Sequence, residues 1–174
     1  MQLEARVVIE YDMWKWHTEG DFPKDQAAEQ GYVHIGMFLA WLIRRNMLDP
    51  EWIARSGVGR AVAGVTKGSE TATALRDMTD GALTSDMLSA KGLAFTSAYY
   101  APEYGYPRDW RGVFGHRADS YDVPDTWETY ERIAPLIDRR HDEWIAAGEP
   151  ELLPMPSLIP SWLAFWRVRP RRTR

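Results

Sequence analysis

Apolar residues recur at helical spacing in two long stretches of the chain and elsewhere fall into short runs broken by glycine and proline. Between Gly31 and Arg45, Tyr32, Ile35, Leu39 and Leu42 make one apolar face while Phe38 and Trp41 make a neighbouring one. So wide a stripe predicts a central, buried helix. Arg44 and Arg45 place positive charge in its last turn, and Asn46 suits a left-handed closing residue. The second stretch follows Asp125-Thr126-Trp127-Glu128, which resembles a capping box with Asp at the cap. Trp127, Tyr130, Ala134, Ile137, His141 and Trp144 then alternate spacings of three and four, one stripe facing a partner. Pro135 predicts that this helix is kinked or divided, and Gly148 that it ends.

The intervening pattern is more broken. Asp49-Pro50-Glu51 supplies a cap, a proline at the first helical position and an acid in the first turn, opening a short helix through Arg55. Gly57, Gly59, Gly64 and Gly68 predict a loosened, flexible connection in which Ala61, Val62 and Val65 can still form a helical turn or two. Ser69 is placed to cap a helix through Met78, Asp80-Gly81 marks a turn, and Thr84 or Ser85 caps a helix to about Tyr100. The passage around Trp110, Val113 and Phe114 reads as an amphipathic helix or a packed loop. At the N-terminus, Val7-Val8-Ile9 reads as a short strand or extended arm without an evident partner strand. Tyr11 to Pro23 reads as an irregular loop with one helical turn. The expected fold is therefore mainly α: a single compact multi-helix domain over residues 1–148 with a short N-terminal extended segment. Residues 149–174 form a proline-rich strap and a basic aromatic tail.

Composition narrows this picture in three ways. A chain of 174 residues suits one domain. The lack of cysteine excludes disulfides, thiolate metal sites and a cysteine nucleophile, and it fits a reducing compartment. Acidic residues interrupt the N-terminus where a leader needs a basic then apolar run, and the longest uncharged apolar run, Gly31 to Ile43, falls short of the about 20 residues a spanning helix needs. A cytoplasmic location is expected. Net charge is −4, yet Arg167, Arg169, Arg171, Arg172 and Arg174 all lie beyond Glu151, the last acidic residue. The body before them carries 16 basic against 25 acidic residues, a balance of −9 that favours a basic partner.

Candidate chemistry centres on one short stretch. His17, Glu19 and Asp21 stand at alternate positions, and with His34 they offer nitrogen and oxygen ligands for a divalent metal, or an acid–base group beside aromatic rings. The spacing matches no recognised zinc motif, and the same residues serve equally as a structural hydrogen-bond network, so no metal and no cofactor are expected. Trp16 and Trp41 complete the candidate binding set. Gly59 to Thr66 imitates a phosphate-binding loop but puts Val65 where the lysine belongs, and no Gly-x-Ser-x-Gly elbow occurs, so no catalytic residue is assigned. In the tail, Trp162 and Trp166 with Arg167, Arg169, Arg171 and Arg172 suit contact with anionic lipid or nucleic acid, as a weaker alternative.

Several blocks together carry a resemblance: Tyr11-Asp12 through Trp16-His17 and Glu19 to Pro23; His34 to Trp41; Leu83 to Leu88 with Gly92, Phe95, Tyr99 and Tyr100; and Asp125 to Glu128 with Ile137 to Arg140. They resemble a bacterial family of small proteins known only as a domain of unknown function, over about Tyr11 to Trp144. The resemblance implies a cytoplasmic helical domain and brings no catalytic residues. Small acidic, cysteine-free domains of this kind are similar to immunity proteins, which bind and block a cognate toxin. The expected function is thus non-enzymatic protein binding to a basic partner, with Glu19, Asp21, Asp25, Glu29, Asp119, Asp122 and Asp125 as rim carboxylates. The alternative is a small enzyme or metal-binding protein using His17, Glu19, Asp21 and His34.

Overall fold

The computed structural model describes residues 7–18, 22–101, 104–115 and 121–153. It is mainly α-helical, with a small two-stranded sheet at its N-terminal edge. Strand β1 (Glu10–Met13) pairs antiparallel with β2 (Ala82–Thr84), Asp12 opposite Leu83 and Met13 opposite Ala82. The helices are α1 (Trp14–Thr18), α2 (Val33–Arg44), α3 (Pro50–Ile53), α4 (Val58–Lys67), α5 (Ala90–Tyr99), α6 (Tyr106–Phe114) and α7 (Trp127–Ala146). Among the described residues, no helix is long and apolar enough to cross a membrane.

Helix α2 is the axis of the domain. Every residue from Val33 to Ile43 is buried, as expected of a helix that is apolar all round rather than along one stripe. Helices α4 and α7 pack on it, and α5 and α6 pack on α7. Phe38 lies at the centre, its ring 4.8 Å from Tyr100, 4.9 Å from Tyr106 and 6.3 Å from Phe95 between centroids. Full burial of each such ring contributes roughly 1.5–3 kcal/mol. Asn46 takes the left-handed conformation (φ 55°), and Asp49 caps α3 by accepting from the amides of Glu51 and Trp52.

Five expectations are corrected. The glycines from Gly57 to Gly68 do not loosen a connection: Gly57 and Gly68 lie outside α4 at positive φ, and Gly59 and Gly64 are absorbed within it. The segment before Met78 is a 3-10 helix (Ala72–Met78) entered through Thr71, because Ser69 spends its hydroxyl on the Gly64 carbonyl. The helix expected from Ser85 to Tyr100 is broken: a 3-10 turn at Ser85–Met87 is followed by α5, whose cap is Ser89, accepting from the Gly92 amide. Gly92 is required there, since a Cβ would fall 2.2 Å from the Met47 carbonyl oxygen. The cap of α7 is Thr126 rather than Asp125, whose carboxylate instead accepts from the hydroxyls of Thr71 and Thr73. Pro135 does not divide α7. Both Pro135 and Glu131, whose carbonyl it leaves without an amide partner, are solvent-exposed, so the vacancy faces water while the other side of the helix stays packed.

The N-terminal strand begins three residues later than Val7 and finds the partner its sequence did not reveal. Ile9 and Ser85 prolong the ladder, the Ile9 amide donating to Ser85 Oγ and the Ser85 amide to the Ile9 carbonyl, each at 2.9 Å. Gly81, at φ 70°, then lets Trp14 approach so closely that a Cβ would stand 1.9 Å from the indole. The Trp14 amide donates to the Gly81 carbonyl at 3.0 Å, and this contact fixes α1 against the domain. After α7, Gly148 turns the chain at φ 84°, and the Leu153 amide binds the Ala98 carbonyl.

Candidate functional site

Where β1, α1 and α2 converge, Asp12 collects four hydrogen bonds. Its Oδ1 accepts from the Met13 amide at 2.8 Å and from His17 Nε2 at 2.6 Å. Its Oδ2 accepts from His34 Nε2 at 3.0 Å and from the Tyr100 hydroxyl at 2.6 Å. Strand alternation turns Asp12 inward, the single turn of α1 carries His17 over it, and the second residue of α2 supplies His34. The imidazoles meet edge to face, 4.4 Å between centroids.

An ionised carboxylate only accepts, so both histidines present Nε2–H to it, and His17 Nδ1 lies 3.1 Å from the Tyr121 hydroxyl. Tyr121 leans on Phe22, and the Tyr106 hydroxyl donates to the His34 carbonyl. Burial alone pushes the Asp12 carboxyl up, but the hydrogen bonds and charge of His17 and His34 outweigh it and hold the group well below the usual carboxylate range. Burial lowers His34 against the opposing pull of Asp12. Burial, then the charge of Asp12, raises Tyr100 and Tyr121. His34 is enclosed, whereas the His17 side chain is 26% exposed, so the cluster has one open side.

One donor atom from each of Asp12, His17 and His34 lies within 4.8 Å of the others, a set able to share a proton or a cation. His17 and His34 therefore meet as the sequence allowed, but the carboxylate between them is Asp12. Glu19 and Asp21 lie outside the described residues. Asp12 stands five positions before His17 on a strand whose pairing segment is about 70 residues away, and its place in the Tyr11-Asp12 block was the available signal. Trp16 is 53% exposed on α1. Trp41 lies two turns beyond His34 among other neighbours, buried, with Nε1 donating to Asp138 at 2.7 Å. Trp162, Trp166, Arg167, Arg169, Arg171 and Arg172 of the tail lie outside the described residues, as does Asp119. Of the remaining rim carboxylates, Glu29 pairs with Arg76, Asp122 accepts from Gln26, and Asp25 is exposed.

A second surface lies beyond the start of β1. Val7, Val8 and Ile9, the first two 87% and 51% exposed, wall a groove of about 780 Å³ floored by Trp52, Leu88 and Leu93. Its polar border holds Asp49, Glu51 and Asp86, with Arg55 paired to Asp86 at 3.1 Å.

A family model matches residues 10–123, which takes in β1 through α6 and the whole Asp12 cluster. The match stops before Asp125–Glu128 and α7, so the resemblance drawn as far as Trp144 runs past it. Comparison with curated proteins and with solved structures finds no match. With more than half of its length matched, the chain belongs to the family described as a domain of unknown function, DUF7832.

Proposed function

We propose that this domain is a non-enzymatic binding module for a basic protein partner, of the kind that a bacterial immunity protein makes with its cognate toxin in the cytoplasm. The observation that carries the proposal is the groove beside Val7, Val8 and Ile9, where exposed apolar side chains adjoin, among the described residues, three carboxylates and one arginine that is already paired. Such a surface offers apolar area for affinity and negative charge for steering a cationic partner. The balance of −9 before the basic tail acts in the same direction.

The test is capture of a partner from the native host by the wild-type chain and by a Val8→Arg, Glu51→Lys double variant. Both side chains are exposed, so the variant keeps its thermal midpoint. The expected result is a basic protein retained by the wild type and released at least tenfold more readily by the variant, with wild-type retention weakening as salt rises. Failure to retain a partner, or equal retention by the two chains, overturns the proposal.

A further inference from the structure

We infer that Asp12, His17 and His34 form a binding site for one divalent transition-metal ion, zinc being the best match to the donor set. Two imidazole nitrogens and one carboxylate oxygen suit zinc and its neighbours, and no sulfur ligand is needed. In a tetrahedral zinc site with bonds of about 2.0–2.2 Å, adjacent ligand atoms stand roughly 3.3 Å apart. The two imidazole nitrogens already lie 2.6 and 3.0 Å from the carboxylate oxygens they face, so small side-chain shifts open the space an ion requires.

Three further features separate this cluster from a chance meeting of polar groups. Both histidines present the same nitrogen, Nε2, to one carboxylate. The other His17 nitrogen already has an outer partner: when Nε2 binds the ion, the ring proton moves to Nδ1 and is donated to the Tyr121 hydroxyl, 3.1 Å away. The Met13 amide and the Tyr100 hydroxyl hold the carboxylate from outside, as outer hydrogen bonds orient metal ligands. The ion replaces hydrogen-bond protons and leaves a remaining coordination position for water on the exposed side of His17. Because the ligands come from β1, α1 and α2, the ion also ties the N-terminal segment to the central helix.

The experiment uses the full chain, stripped with chelator and titrated with zinc, while metal content and thermal midpoint are measured. One equivalent of zinc is expected to be retained after gel filtration. At a free concentration a hundredfold above Kd the midpoint rises by about 5–10 °C. Cobalt(II) in the same site gives the intense visible bands of tetrahedral coordination. His17→Gln, on the open side of the site, keeps the fold and loses the stoichiometric metal, the zinc-induced shift and the cobalt bands. Absence of retained metal and of any shift with zinc, cobalt, nickel or manganese overturns the inference. So does a zinc response that His17→Gln leaves intact, which assigns the ion to another place. Groove variants leave this readout unchanged, so the binding proposal and the metal site fail independently.

Discussion

Asp12 and Asp109 are both buried, both accept a hydroxyl hydrogen from neighbouring tyrosines at the end of α5, and differ in what faces them from the other side. Asp109 takes Tyr99 at 3.0 Å and a two-pronged guanidinium, Arg140 Nε to Oδ2 at 2.7 Å and Nη2 to Oδ1 at 3.2 Å. Asp12 takes Tyr100 and two imidazoles. The arginine carries a permanent charge in a rigid fork, and its hydrogen bond to Asp109 raises its pKa further despite burial, so the guanidinium stays charged at any ordinary pH. Each imidazole nitrogen that faces Asp12 can exchange its proton for an ion. The same kind of buried carboxylate is thus a fixed clamp between α6 and α7 in one place and an exchangeable centre in the other.

The clamp gives the largest expected effect. Arg140→Leu strands a buried carboxylate and is expected to cost about 3–5 kcal/mol in urea unfolding. Changing both partners, Asp109→Asn with Arg140→Leu, is expected to recover much of that loss, because the penalty lies in the unpaired charge. A single variant costing under about 1 kcal/mol shows that Asp109 is relieved in another way, and the contrast with Asp12 then collapses.

At the exchangeable centre the effect is smaller and depends on pH. Asp12→Asn weakens several charge-assisted hydrogen bonds and is expected to cost about 2 kcal/mol near neutral pH. The Asp12 carboxyl is depressed below its ordinary 3.8 in the folded chain, so its stabilisation is complete above that value and is lost as pH falls below it toward the folded pKa. Wild-type stability should therefore fall more steeply than that of the variant below about pH 4. Parallel acid limbs for the two chains contradict the charge assignment.

How much of this was legible depended on the range of the cause. The caps at Asp49 and the closing residues Asn46 and Gly148 follow from local chemistry, and the sequence shows them directly. The burial of α2 also follows, because its apolar residues leave no polar face. Asp12 was passed over because its role depends on β1 pairing with Ala82–Thr84, a contact that no local pattern encodes and whose partner run is only three residues long. The nearer carboxylates Glu19 and Asp21 drew attention through proximity in sequence alone. Likewise the glycines near α4 suggested looseness, whereas those at its two ends stop the helix and the two inside it are tolerated. Asp125 looked like a cap until Thr71 and Thr73, more than 50 residues earlier, claimed its carboxylate.

A third buried titratable group sharpens the contrast by having, among the described residues, no carboxylate in hydrogen-bonding reach. His141 lies among Trp41, Phe95 and Trp144, its Nε2 has no hydrogen-bond partner among the described residues, and Asp142 stands 3.9 Å from Nδ1. Burial lowers its pKa, with Lys91 and Arg45 adding to the effect. The neutral ring is thus the folded form, and the unfolded chain binds the extra proton first. Its contribution is fully present above the ordinary value of 6.5 and is lost as pH falls below it toward the folded pKa. His34 is shifted in the same direction and contributes to the same window, so the informative quantity is the difference between wild type and His141→Phe. That variant removes an unpaired nitrogen and keeps an aromatic ring against its neighbours, for an expected gain of about 1 kcal/mol at pH 7. The gain should widen between pH 6.5 and 5.5, where only the wild type carries the His141 penalty. Zinc affinity should stay unchanged, since His141 touches none of the three ligands. If the variant instead removes the whole pH dependence in this window, His34 does not titrate there, and Asp12 holds it as firmly as Asp109 holds Arg140.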